Sequence, residues 1–288
     1  MKKIIVAVLL ALGLLSTMSL VACGSTKTLV SNFSMGASPA VEVTVGNGNV
    51  SLVVAREGEI IVTAELQKPD SVEYETSQDG DLITVNAKTR SGSRADVTVT
   101  VPRKTRFKVS IGNGNMEVAD VQASGQANIG DGNITLKNMA GSFDLTDGNG
   151  LISLEGIRGD VKAIIGNGNI TLSDTGGSFG FISGNGDITL SNVTGFFDLI
   201  GGNGDIRFQG ELPPGGNNSF VIGNGSVTVE LSGSTSVALD LEIEQEGKII
   251  YDLPVTVSEQ SDYRLVGTIG NGEASLSVRT GMGDITIK

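Results

Sequence analysis

The triplet Gly-Asn/Asp-Gly begins at Gly112, Gly130, Gly148, Gly166, Gly184 and Gly202, six copies at a constant spacing of 18 residues. A period this strict requires the chain to return to the same place once per repeat, so equivalent positions must stack as the rungs of a solenoid. A second series, Gly141, Gly159, Gly177 and Gly195, keeps the same period seven residues earlier. Each repeat therefore has two glycine turns joined by two strands. Related triplets at Gly46, Gly223 and Gly270, with Gly281-Met282-Gly283 as a degenerate copy, extend the pattern toward both ends.

Between the turns the apolar residues alternate, as half-buried strands demand. After the triplet come Ile134/Leu136, Ile152/Leu154, Ile170/Leu172, Ile188/Leu190 and Ile206/Phe208, and before it come Phe143/Leu145, Val161/Ala163, Phe179/Phe181 and Phe197/Leu199. Stacked about 4.8 Å apart, these columns make aliphatic and phenylalanine ladders. Met139, Ile157 and Val193 form a third column that closes the wide end of each rung. The expected fold is all-β, a parallel β-solenoid with 18-residue rungs, and 41 glycines against 6 prolines suit it. Asn113, Asp131, Asn149, Asn167, Asn185, Asn203 and Asn224 share one corner position and predict a structural turn ladder of side-chain amides. A left-handed β-helix would place an aliphatic residue every sixth position, which this register does not do. A calcium β-roll would place Asp two residues beyond the second glycine, whereas Asp187 and Asp205 follow it directly. No metal or cofactor is expected.

Flanking segments read differently. Residues 41–110 contain short alternating strands with polar turns such as Gln78-Asp-Gly-Asp81, and are expected to cap one end of the stack, where an unpaired edge would invite aggregation. Regular repeats occupy 111–232. Leu212-Pro-Pro-Gly-Gly-Asn-Asn218 breaks the register, and residues 233–288 are expected to form irregular rungs and a second cap.

At the N-terminus, Lys2 and Lys3 precede an apolar run from Ile4 to Leu15, and small residues end in Leu20-Val21-Ala22-Cys23. This is the pattern of a signal peptide over residues 1–22, too short to remain as a membrane span of roughly 20 apolar residues. The tetrapeptide resembles a lipobox, which assigns Cys23, the only cysteine, to lipidation and residues 23–40 to a tether. The expected location is extracytoplasmic, lipid-anchored to the bacterial cell envelope. Without the signal, 32 acidic and 18 basic side chains leave a charge of about −14, which disfavours nucleic acid and anionic headgroups, so the membrane is reached through the lipid on Cys23.

The segments Ile165-Gly-Asn-Gly-Asn-Ile-Thr-Leu172 and Ser183-Gly-Asn-Gly-Asp-Ile-Thr-Leu190, with Asp96-Val-Thr-Val-Thr-Val-Pro102 leading to Phe107-Lys-Val-Ser-Ile-Gly-Asn-Gly114, resemble the DUF4097/DUF2807-type putative adhesins. The resemblance covers about residues 41–288. It implies a right-handed parallel solenoid with an adhesive role, and it carries over no catalytic residue.

Catalytic equipment is sparse. Histidine is absent, which removes the commonest general base and metal ligand, and acidic residues such as Asp131 and Asp147 read as turn members. No glycine motif opens a helix or precedes Lys-Ser/Thr, so nucleotide binding is not expected. Two function classes follow, neither an enzyme and neither with a small-molecule substrate. One is a cell-surface adhesin or recognition module for a surface polysaccharide or protein, in which eleven or twelve rungs would make a rod roughly 50–60 Å long. The other is a structural or regulatory envelope scaffold that binds a membrane or secretion protein. No Trp and 3 Tyr leave few aromatic platforms for sugars, which points to weak multivalent contacts.

Overall fold

The computed structural model describes residues 19–23 by backbone alone, and residues 26–34, 36–55, 59–232 and 236–288 with side chains. The chain divides into two compact units at Asp144/Leu145. Among the described residues there is no α-helix, only a 3-10 turn at Pro69–Ser71. Parallel pairing dominates and gives the β-solenoid expected from the repeats.

Unit 1 contains β1 (Ser19–Cys23), β2 (Thr26–Ser34), β3 (Ala40–Asn47), β4 (Val50–Val54), β5 (Glu59–Gln67), β6 (Val72–Asp79), β7 (Leu82–Thr89), β8 (Arg94–Val101), β9 (Arg106–Asn113), β10 (Met116–Ala119) and β11 (Gly125–Lys137). β12 (Ala140–Glu155) carries the chain across the unit boundary. Each rung has a first wall before the glycine corner and a second wall after it. β11 lies parallel on both β9 and β10, with Ile129 opposite Ile111 and Ile134 opposite Met116. β3 and β4 cover the other side of the same rung, with Val45 opposite Ile111 and Val50 opposite Met116. β7 and β8 lie parallel beyond β3 and β4. Spatial order therefore departs from chain order, because the rung of residues 40–54 is clasped between the cap rung β7/β8, which follows it in the chain, and the rung β9/β10 that comes after the cap. Antiparallel strands finish the cap, β6 on β7, β5 on β8 and β2 on β5.

Unit 2 contains β13 (Arg158–Asn185), β14 (Ile188–Asn203), β15 (Ile206–Glu211), β16 (Asn217–Asn224), β17 (Val227–Leu231), β18 (Val237–Glu246), β19 (Ile249–Tyr251), β20 (Thr256–Gln260), β21 (Arg264–Ile269), β22 (Ala274–Met282) and β23 (Ile285–Ile287). β14 keeps register with β13 from Ile170/Ile188 to Asn185/Asn203. The final segment repeats the clasping: β22 and β23 lie parallel between β16/β17 and β18/β19. β21 and β20 then add antiparallel strands to β18.

The apolar columns face inward. Phe143, Phe181, Phe197, Phe208 and Phe220 are fully buried, as are Met139, Ile157 and Val193 of the third column. In unit 2, Phe179 stacks on Phe197 at 5.5 Å, and Phe197 meets Phe208 edge-on at 5.0 Å. Unit 1 solves a missing ring differently. Gly125 stands in the phenylalanine column between Phe107 and Phe143, and the Phe107 ring fills its place, so that a Cβ there would lie 2.0 Å from the ring. The two rings then meet at 6.2 Å across the intervening rung.

Residues 1–18 of the expected signal peptide lie outside the described residues, and Ser19–Cys23 forms β1, antiparallel to β2. Two local expectations change. The expected tether contains β2, whose buried face is Leu29, Ser31 and Phe33; the serine interrupts the apolar alternation and hides the strand from pattern reading. Gly270 and Gly272 have φ of 62° and 70°, whereas the stacked corner glycines of the regular repeats, such as Gly168 and Gly186, have φ of 137°. Gly270-Asn271-Gly272 is thus a tight turn between β21 and β22 and not a corner.

Candidate functional site

The corner has two side-chain ladders. At the middle of the triplet, Asn167 donates through Nδ2 to Asn149 Oδ1 at 2.8 Å, Asn185 to Asn167 at 2.8 Å, Asn203 to Asn185 at 2.7 Å and Asn224 to Asn203 at 2.8 Å. In unit 1, Asn113 donates to Asn47 and Asn47 to Thr89 Oγ1. Each unit-2 amide is exposed at the corner, so the ladder presents a regular row of amide groups to solvent. Asp131 at the same position also has a partner.

The second ladder has no counterpart in the sequence reading. The residue just after each triplet accepts a hydrogen bond from the backbone N–H of the equivalent residue one rung on. Asn169 receives Asp187 N–H at 2.9 Å, Asp187 receives Asp205 at 2.8 Å, Asp205 receives Ser226 at 2.9 Å, and Asp284 receives Lys248 at 2.8 Å. In unit 1, Asp96, Asn49 and Asn115 receive Asn49, Asn115 and Asn133 in turn. A backbone N–H leaving a tight corner needs an acceptor, and Asn or Asp supplies it. This explains why Asp187 and Asp205 directly follow the second glycine. Their remaining oxygens hold Arg207, at 3.2 and 2.6 Å. Among the described residues no three His, Cys, Asp or Glu side chains gather in a metal-holding group.

Asp147 is not a surface turn member: it is 1% exposed, in the inward column that also holds Ser183 and Thr280. Thr280 Oγ1 donates to the Gly225 carbonyl at 2.8 Å, and Ser183 Oγ reaches the Gly168 carbonyl at 3.3 Å. The hydroxyls in this column serve corner carbonyls.

Outside the first wall of unit 1 is a groove of about 340 Å³ lined by Thr44, Ser110, Asn128, Val45, Ile111 and Ile129, with Gly112 and Gly130 at its corner end. Parallel registration sets Thr44 opposite Ser110 and Ser110 opposite Asn128, giving a hydroxyl, a hydroxyl and an amide on successive rungs. A Cβ on Gly112 or Gly130 would lie 2.4 or 2.5 Å from the carbonyl oxygen of the corner glycine on the neighbouring rung, so this end of the groove has to be glycine. Such a column suits hydrogen bonding to an extended polar polymer and contains no titratable group.

Stacked parallel rungs with doubled corner ladders define a repetitive β-solenoid of the Toastrack kind. The Toastrack DUF4097 family model matches residues 39–288, and the chain belongs to that family. No curated protein sequence matches it. Solved structures similar to the chain include a putative cell adhesion protein from Clostridium sporogenes, 12% identical over 91% of this chain and 99% of that one, with a TM-score of 0.32. A putative adhesin from Bacteroides fragilis is 10% identical over 91% and 97% of the two chains, TM-score 0.34. A putative lipid binding protein from Parabacteroides distasonis is 11% identical over 92% and 98%, TM-score 0.34. No helix among the described residues is long and apolar enough to cross a membrane.

Proposed function

We propose that this chain is a lipid-anchored, non-catalytic adhesion module that is displayed outside the membrane and holds a surface polysaccharide through weak repeated contacts. The observation that carries this reading is the groove whose hydroxyl and amide groups recur at rung spacing along Thr44, Ser110 and Asn128. A polymer with its own repeat can engage several rungs at once, so individually weak hydrogen bonds add as avidity. The lipobox-like Leu20-Val21-Ala22-Cys23 supports anchoring through Cys23. A non-catalytic reading is supported by Asp187 and Asp205, whose carboxylates are committed to backbone N–H groups and to Arg207.

The test is binding of the lipidated chain in vesicles to an array of bacterial glycans and matrix proteins, with and without calcium. The expected result is saturable glycan binding, indifferent to calcium and lowered at least tenfold by Ser110→Ile with Asn128→Ile. Glycan binding unchanged by that pair would refute the groove, and binding only to proteins would refute the polysaccharide. Labelling with a fatty acid that fails to mark the chain, or that persists in Cys23→Ser, would refute the anchor.

A further inference from the structure

The outer column that holds Thr44, Ser110 and Asn128 in unit 1 has its counterpart in unit 2 at Ile164, Ile182, Ile200 and Val221. Ile182 lies opposite Ile200 and Ile200 opposite Val221, with Ile164 one 18-residue repeat before Ile182. Their exposures are 48%, 43%, 40% and 36%. The fold does not demand aliphatic residues here, because the same position carries polar ones in unit 1. Four exposed aliphatic side chains on consecutive rungs form a contiguous apolar stripe.

The adjacent outward column reads Asp144, Lys162, Gly180, Asp198 and Ser219 at the repeat spacing. Gly180 lies opposite Asp198, and a Cβ built on Gly180 would meet nothing within 4 Å. In unit 1 the corresponding column forms an internal ion pair, Lys108 to Glu42 at 2.7 Å. Lys162 and Asp198 sit two rungs apart, about 9.6 Å, and neither has an ion-pair partner among the described residues. Lys162 and Asp198 thus carry opposite charges one rung to either side of a glycine.

We propose that unit 2 binds a second copy of this chain face to face through this wall, about a two-fold axis that runs along the strands through Gly180 and Ile182. That operation inverts the stacking direction and keeps each column facing itself. Ile182 then meets its own image, Ile164 meets Ile200 of the other copy, and Lys162 meets Asp198 of the other copy. Gly180 against Gly180 lets the sheets approach to the usual spacing of about 10 Å. Lys162 facing Asp198 of the other copy favours this inverted stacking register, the role that electrostatic complementarity plays at interfaces. A face about five rungs by five residues covers roughly 400 Å² per copy, half of a standard interface, so the association is reversible and not obligate.

The experiment uses the full chain in its membrane, treated with a short bifunctional thiol reagent. Ile182→Cys is expected to give a covalent dimer at least tenfold above that of the unsubstituted chain, whose one cysteine is the lipid-anchoring Cys23, and of Thr189→Cys on the second wall. In the Ile182→Cys background, Lys162→Asp and Asp198→Lys should each cut the yield at least tenfold, and the two together should restore it. Circular dichroism checks that every variant folds. Failure of Ile182→Cys to exceed Thr189→Cys overturns the proposal, as does coupling of Ile182→Cys to a different protein. A charge swap that does not restore coupling overturns the two-fold register.

Discussion

The second corner ladder predicts that Asp205→Ala destabilises the protein through one backbone amide. In the wild-type chain Asp205 Oδ1 accepts from Ser226 N–H at 2.9 Å, and the carboxylate also takes Arg207 at 2.6 Å. Removing the acceptor leaves a half-buried N–H without its partner, a loss of about 1–2 kcal/mol for a site with partial access to water. The Arg207 pair adds little, about 0.5 kcal/mol, because both side chains are largely exposed and Asp187 still holds the guanidinium. Asp205→Asn keeps an acceptor of the same shape, as Asn169 does for Asp187, and should cost only about 0.5 kcal/mol. Rungs of a solenoid can open separately, so the assay is native-state hydrogen exchange read at Ser226, with denaturant melting as the global measure. Exchange there should speed about fivefold to thirtyfold in Asp205→Ala and roughly twofold in Asp205→Asn, since 1.4 kcal/mol is tenfold. Equal effects of Ala and Asn, or unchanged exchange at Ser226, would show that this ladder contributes no stability.

Gly125→Ala places a methyl group 2.0 Å from the Phe107 ring, and should cost about 1–3 kcal/mol in denaturant melts. Combining it with Phe107→Ala should cost clearly less than the sum of the two singles, because the clash needs both partners. Phe208→Ala, in the fully buried aromatic cluster of unit 2, should cost about 3–5 kcal/mol in the same melts. Burial pushes the Tyr74 hydroxyl above its ordinary pKa of 10, so the folded chain keeps a proton that the unfolded chain loses. Stability from this group is present below pH 10 and falls as pH rises above it; Tyr74→Phe should flatten that alkaline loss in melts taken from pH 8 to pH 11. Chelation of calcium should leave the melting temperature unchanged, because Asp187 and Asp205 already hold Arg207 and backbone N–H groups.

What could be read from the sequence was whatever repeats. Ile170, Ile188 and Ile206 announce a column because each rung poses the same packing problem, and the buried Met139, Ile157 and Val193 follow from the same period. Asn149 through Asn224 announce the amide ladder for the same reason. Stacking order could not be read this way. The cap rungs at β7/β8 and β18/β19 lack the Gly-x-Gly corner: residues 90–94 replace it in one and Gln245-Glu246-Gly247 in the other, where Gly247 still seats against Gly283 with φ of 152°. A corner that keeps only its second glycine has no period to betray it.

The ends also separate two properties that the repeats combine. A parallel stack requires in-register corners, yet its last strands need some other protection, because an unpaired parallel edge offers a template to any passing chain. Both units close by turning antiparallel, at β6, β5 and β2 in one and at β21 and β20 in the other. Antiparallel strands do not need the glycine corner, which releases their sequence from the repeat. That release allows β6 to place Glu73, Glu75 and Asp79 on an exposed edge face, where like charges oppose edge-to-edge growth. In unit 2 the exposed aliphatic stripe lies instead on a wall, at Ile164 to Val221. Association through that wall meets a defined partner face, whereas association through an edge would propagate without limit.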